Sequence, residues 1–272
     1  MKRILFSLAT VLTLLTTSCN DGGDNNLYFQ AQMVSHISNV AATPDDPGKM
    51  RADAVVYEVI IDTKNMKADL ACNVILPDGK AGTVDVRGMA LSIDSKTGGY
   101  YIKQTGDSRS QGSFAVTNLA GVLDLNQSGI SKSRFSFIVE KHYQVNATLV
   151  DLEFKDAKAA ITDEGTGTTR TISGCNFVFN INPVNGMSTV SITGLDYDGN
   201  IGKTRTLVYD NLEFKPCYNG YEITGDLLSP KNEGEATLAK YKLKKFKATL
   251  QFLNGFEASY SIDGIGDIKV AQ

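Results

Sequence analysis

Tyr57-Glu58-Val59-Ile60-Ile61 returns 120 residues later as Phe177-Val178-Phe179-Asn180-Ile181, and the reading of these two stretches decides the fold. In each, apolar side chains hold alternate positions: Tyr57, Val59 and Ile61, then Phe177, Phe179 and Ile181. A period of two puts them on one face of a β-strand. Working outward, Asp78-Gly79 and Gly82 fall on Asp198-Gly199 and Gly202, again at an offset of 120. Leu91-Ser92-Ile93 falls on Leu212-Glu213-Phe214, and Gly99-Tyr100 with Ile102 on Gly220-Tyr221 with Ile223, at 121. Leu27-Tyr28-Phe29 falls on Leu152-Glu153-Phe154 at 125. Ordered blocks with a period near 120 mean a duplicated domain, because solenoid repeats are far shorter.

Both units read as antiparallel β. Phe135-Phe137-Val139 and Tyr143-Val145-Ala147-Leu149 are further half-buried strands, and Asp78-Gly79, Asp198-Gly199 and Asn254-Gly255 are hairpin dipeptides. Thr97-Gly98-Gly99 and Asn219-Gly220 add turns. The expected fold class is all-β: two tandem domains over residues 27–150 and 151–272, each a sandwich or small barrel of seven or eight strands. Ala239, Leu243, Phe246 and Leu250 stand at helical spacing, which a bulged strand fits nearly as well. No Gly/Pro/Ser linker separates the units. Apolar parity switches between Leu149 and Val150, so one strand is expected to pass from the first core into the second. Asn26-Leu27-Tyr28-Phe29-Gln30 looks like part of a protease tag, but its counterpart at Leu152 makes it the opening strand of unit one.

The chain has 272 residues, 42% hydrophobic and 21% charged, with two histidines, four cysteines and no tryptophan. That is a folded composition, not a disordered or multi-span membrane one. Lys2 and Arg3 precede an apolar run from Ile4 to Leu15, too short to span a bilayer, so residues 1–18 read as a signal peptide. Leu15-Thr16-Thr17-Ser18-Cys19 resembles a bacterial lipobox, with Thr16 where leucine is usual. The acidic, glycine-rich tether over residues 19–26 resembles that of Bacteroidales-type surface lipoproteins. The resemblance implies lipidation of Cys19 and an outer-membrane location, facing either the periplasm or the cell surface. Without Lys2 and Arg3, 25 basic residues stand against 30 acidic ones, a balance of −5, and an acidic chain is a poor nucleic-acid binder.

Cys72, Cys175 and Cys217 then remain in a compartment that permits disulfides. Cys175 and Cys217, both in the C-terminal half, are the pair considered for a bridge; the alternative is three buried thiols. No metal or other cofactor is expected. Gly106-Asp107-Ser108 spells an esterase nucleophile block but lacks the Asp-x-x-His partner, since Val139 precedes His142 by three. Asp196-Tyr197-Asp198-Gly199-Asn200 begins like a calcium loop, yet its twelfth position is Leu207 where an EF-hand needs glutamate. His36 and His142 occupy nonequivalent points of the two units, and Asp45-Asp46 lies in a Pro/Asp loop.

Two groups carry binding expectations. Lys240, Lys242, Lys244, Lys245 and Lys247 interleave with Tyr241, Leu243 and Phe246, which suits either a polyanion site or a lysine-protected edge strand. Tyr100 and Tyr101, with Tyr218 and Tyr221 at the repeat position, lie beside glycine turns and suit stacking on a ligand. The expected function is non-catalytic: a lipid-anchored envelope protein binding a small ligand, a glycan or a protein partner, with a barrel mouth as one site for an apolar ligand. The alternative is a structural or adhesive surface protein, resembling tandem-β fimbrial lipoproteins and using residues 27–37 as an exposed donor strand.

Overall fold

The alternation read from the sequence is the alternation of burial. Val55, Tyr57, Val59 and Ile61 are buried and Val56 and Glu58 between them are exposed, while Phe177, Phe179 and Ile181 repeat the pattern. The computed structural model describes residues 26–93, 98–123, 133–199, 205–231, 238, 240–252 and 255–272. Residues 1–25, Cys19 among them, lie outside these residues, as do Thr97, Asn200, Gly202, Ala239 and Asn254, whereas Asn26, expected at the end of the tether, opens the first strand.

The first sheet contains β1 (Asn26–Asn39), β2 (Arg51–Asp62), β3 (Lys67–Ile75), β4 (Ala81–Ile93), β5 (Tyr100–Lys103), β7 (Val116–Leu123), β8 (Arg134–Val139) and β9 (Tyr143–Leu149). Each pairs antiparallel with the next, and β9 returns to β1, closing an eight-stranded up-and-down barrel. The two-residue β6 (Arg109–Ser110) adds a short pairing to β4. The second sheet repeats the plan with β10 (Asp151–Asp163), β11 (Thr169–Asn182), β12 (Met187–Thr193), β13 (Thr206–Cys217), β14 (Gly220–Gly225), β15 (Lys244–Gln251), β16 (Gly255–Ile262) and β17 (Gly266–Ala271), β17 closing on β10.

Strand register corrects two blocks of the repeat. Phe29 pairs with Val59 and Leu152 with Phe179, so Phe29, not Leu27, corresponds to Leu152. Leu91 pairs with Ile102 and Phe214 with Ile223, so Leu91 corresponds to Phe214, not Leu212. Both slips are of two residues, which keeps the inward face inward. The helical spacing at Leu243, Phe246 and Leu250 belongs to a bulged strand. Lys245 adopts φ 52° at a register shift between Lys244 and Lys247 and moves the buried positions out of simple alternation. β15 pairs with both β14 and β16, so the lysine run does not protect an edge.

An eight-stranded barrel has an interior that side chains can fill. Tyr57, Phe114, Phe135 and Phe137 are fully buried in the first; Phe177, Phe179, Phe246, Phe256, Tyr197, Tyr209, Tyr221 and Tyr241 in the second. These aromatic cores fill the barrel interiors. Cys175 and Cys217 are free thiols. Cys175 precedes the Asn176–Thr193 pair at one end of β12, whereas Cys217 lies beyond the Met187–Glu213 pair at the other. A seven-residue strand, roughly 20 Å, separates them, so a disulfide is ruled out.

The barrels meet without a linker. β9 ends at Leu149, packed on the first core; β10 starts at Asp151, and Val150 between them packs on the second while its carbonyl accepts from Ile181 N at 2.8 Å. β1 is buried on both faces from Met33 to Ser38. Met33 and Ile37 face its own core, whereas Val34 belongs to the core of the second barrel. His36, completely buried, donates from Nε2 to Cys217 O at 2.8 Å and packs against Phe252 and Tyr221 with ring centroids 5.1 and 5.8 Å away.

Candidate ligand-binding cleft

Residues facing away from the first core form one wall of a cleft of about 710 Å³ where the barrels adjoin. Pairing places them in two rows across β4, β5, β7, β8 and β9. One row is Ser92, Tyr101, Val122, Arg134 and Thr148. The other is Ala90, Lys103, Ala120, Ser136 and Asn146. The second barrel supplies Asn219 from the β13–β14 turn and Gln251 with Phe252 from the end of β15. Phe252 is fixed there by its N–H on Asn219 O at 3.1 Å and by Tyr221, 5.3 Å between centroids.

Small side chains at Ala90, Ser92, Ala120 and Ser136 leave the room; Tyr101, Val122 and Phe252 give the apolar surface. No Asp or Glu lies among the described residues lining the cleft, whereas Lys103 and Arg134 do, and neither forms an ion pair among the described residues. On strand spacings the two cations stand on the order of 10 Å apart, with Ala120 and Val122 between them. Ser136 accepts from Gln144 Nε2 at 2.9 Å and donates to Asn146 Oδ1 at 3.0 Å, which orients the polar floor.

A smaller chamber of about 100 Å³ adjoins the cleft and shares Arg134, Thr148, Gln251 and Phe252 with it. Tyr221 lines its inner side, with Leu152 and Phe154 from β10. The other large buried tyrosines have satisfied hydroxyls: Tyr57 with Ser35 at 2.7 Å, Tyr197 with Tyr260 at 2.9 Å, Tyr209 on Tyr241 O at 2.9 Å, and Tyr241 on Asp198 at 2.8 Å. Tyr221 Oη and Thr148 Oγ1 are buried beside each other, and neither makes a well-formed hydrogen bond. Thr148 is near enough to favour the ionised form of Tyr221, yet burial dominates and pushes that phenol well up. A buried hydroxyl without a partner costs about 1–3 kcal/mol.

Of the residues singled out from sequence, Tyr101 lies in the cleft, 43% exposed, and Tyr221 in the chamber. Tyr100 instead packs on Phe29 at 6.5 Å, and half-buried Tyr218 does not line either space. The lysine run is not one basic face. Lys240 pairs with Asp198 at 2.6 Å, Lys244 with Asp263 at 2.5 Å and Lys247 with Glu222 at 2.7 Å, while Lys242 and Lys245 are exposed. Asp198 therefore serves Lys240 and Tyr241 rather than a calcium loop. Ser108 sits in a turn with its hydroxyl on Gly88 O at 3.4 Å, and His142 is exposed in the β8–β9 turn. Sequence reading missed Lys103, Arg134, Asn146, Thr148 and Gln251. For Arg134, Asn146 and Thr148 the available signal was position, since each occupies the outward parity of a strand whose inward parity is legible; Lys103 and Gln251 carry no such signal. Compared with known proteins, the chain matches no family model and no curated sequence.

Proposed function

We propose that this chain is a lipid-anchored binding protein of the bacterial cell envelope, tethered to the outer membrane through Cys19, and that the cleft between its barrels captures a small ligand without converting it. The observation that carries the reading is the cleft itself. Its volume of about 710 Å³ falls in the range of small-molecule sites, and its apolar surface is interrupted by a few oriented polar groups. Amides, hydroxyls, two cations and apolar carbons are binding groups. The lipobox-like Leu15 to Cys19 supports the anchor.

Two experiments test this. The uncharged dye N-phenyl-1-naphthylamine is expected to bind the purified protein, and Ala120→Trp, which fills the cleft from an exposed position, to weaken it at least tenfold. Unchanged binding by the variant contradicts the site. For the anchor, a palmitate analogue is expected to label the wild type and not Cys19→Ala; an unlabelled wild type contradicts lipidation.

The structural or adhesive reading has one observation on its side. β1 pairs with β2 from Asn26 onward but with β9 only from Met33, so residues 26–32 have a ladder partner on one side among the described residues. If that edge drives assembly, light scattering should show oligomers that Gln30→Pro dissolves; a monomer at all concentrations contradicts it.

A further inference from the structure

Resting on the cleft as the binding site, we infer that its ligand is an organic anion with an apolar body, its acidic head at Arg134 where the chamber adjoins the cleft. Three features converge. The described lining of the cleft has Lys103 and Arg134 and no carboxylate, on a chain whose acidic residues outnumber its basic ones, 30 to 27. A ligand with a negative charge meets two cations and no described carboxylate in this cleft.

The second feature is the place of Arg134, which lines both the cleft and the chamber at an exposed position without an ion pair among the described residues. A guanidinium only donates, and a carboxylate or sulfonate offers it several acceptor positions at once. The carboxylate on the chamber wall, Glu153, is held by Lys155 at 3.2 Å.

The third feature is size. A chamber of about 100 Å³ beside a cleft of about 710 Å³ suits a small head group joined to a larger body. The apolar body then lies in the larger cleft along Val122, Ala120 and Phe252, with Lys103 beyond Ala120. The division is polar head inside and body outside, the reverse of a barrel that swallows a hydrocarbon tail.

The test uses two dyes with one ring system. 8-Anilinonaphthalene-1-sulfonate carries a sulfonate that N-phenyl-1-naphthylamine lacks. Wild type is expected to bind the sulfonate at least tenfold more tightly. Arg134→Gln, at an exposed position that folding tolerates, should weaken the sulfonate about tenfold more than it weakens the neutral dye. Dodecanoate should displace the sulfonate, and dodecanol should not. Near-UV circular dichroism of each variant must match wild type, since loosened cores also bind the sulfonate dye. Equal affinity for both dyes, equal loss of both in Arg134→Gln, or displacement by dodecanol overturns the anion assignment while the cleft stands. Failure of both dyes to bind, or neutral-dye binding that Ala120→Trp leaves unchanged, overturns the cleft and the anion assignment together.

Discussion

His36 joins the two barrels through one hydrogen bond, and the chemistry of its ring makes that joint sensitive to pH. Nε2 donates to Cys217 O, Nδ1 has no partner, and burial holds the pKa below the ordinary 6.5 against the pull of the carbonyl. The folded state therefore takes up its proton later than the unfolded state as pH falls. Stability should be full above 6.5 and decline below it toward the folded pKa, where the protonated ring is forced on the interface. The thermal midpoint is expected to drop between pH 7 and pH 5, and His36→Gln to flatten that drop while costing about 1 kcal/mol at pH 7. A midpoint equally pH-dependent in both proteins would contradict this. The thiols give a second residue-scale expectation. Burial pushes Cys72 up to about 12 and Cys175 and Cys217 up to about 11. Iodoacetamide should leave buried Cys72 and Cys175 unmodified in the native protein, and mass spectrometry should find no Cys175–Cys217 bridge.

At the scale of the strand, alternation was legible and bulges were not. Val55 to Ile61 and Phe177 to Ile181 declare their inward face because no bulge interrupts them. β15 disguised itself because Lys245 takes a left-handed conformation, a place where nothing in a lysine side chain announces one. The late part of the repeat blurred for a related reason. Tyr100 pairs with Leu123 and Tyr221 with Leu250, so the offset jumps from 121 to 127 across a loop whose length the two units do not share. Lys245→Gly should stabilise the protein by about 0.5–1 kcal/mol by removing the left-handed strain, measured by urea unfolding; destabilisation would contradict the assignment. Gly220→Ala should do the opposite, costing at least about 2 kcal/mol, because its Cβ would overlap the Leu250 carbonyl at the rim that carries Gln251 and Phe252.

The whole molecule is a repeat whose two copies share a joint. Val34 of β1 lies in the second core, so separating the barrels exposes apolar surface and the buried His36 together. Calorimetry is expected to show one cooperative transition for the chain, and two well-separated transitions would contradict coupled barrels. This joint explains why the fold was more legible than the site. Duplication and β class are written along the chain, in the recurrence of Tyr57–Ile61 at Phe177–Ile181. The cleft is written across it: Ser92, Tyr101, Val122, Arg134 and Thr148 are neighbours only after five strands pair, and Phe252 joins them only after the second barrel docks. Tyr101 and Tyr221 were noticed as aromatics beside glycine turns, but nothing local distinguished them from Tyr100 and Tyr218.

Amide chemical-shift mapping during titration with dodecanoate reads the location of the ligand directly. The largest shifts are expected along residues 101–103, 120–122, 134–136 and 146–148, and at Gln251 and Phe252. No shift under saturating dodecanoate, or shifts centred on the interior residues Phe177, Phe179 and Phe256, would contradict a binding site between the barrels.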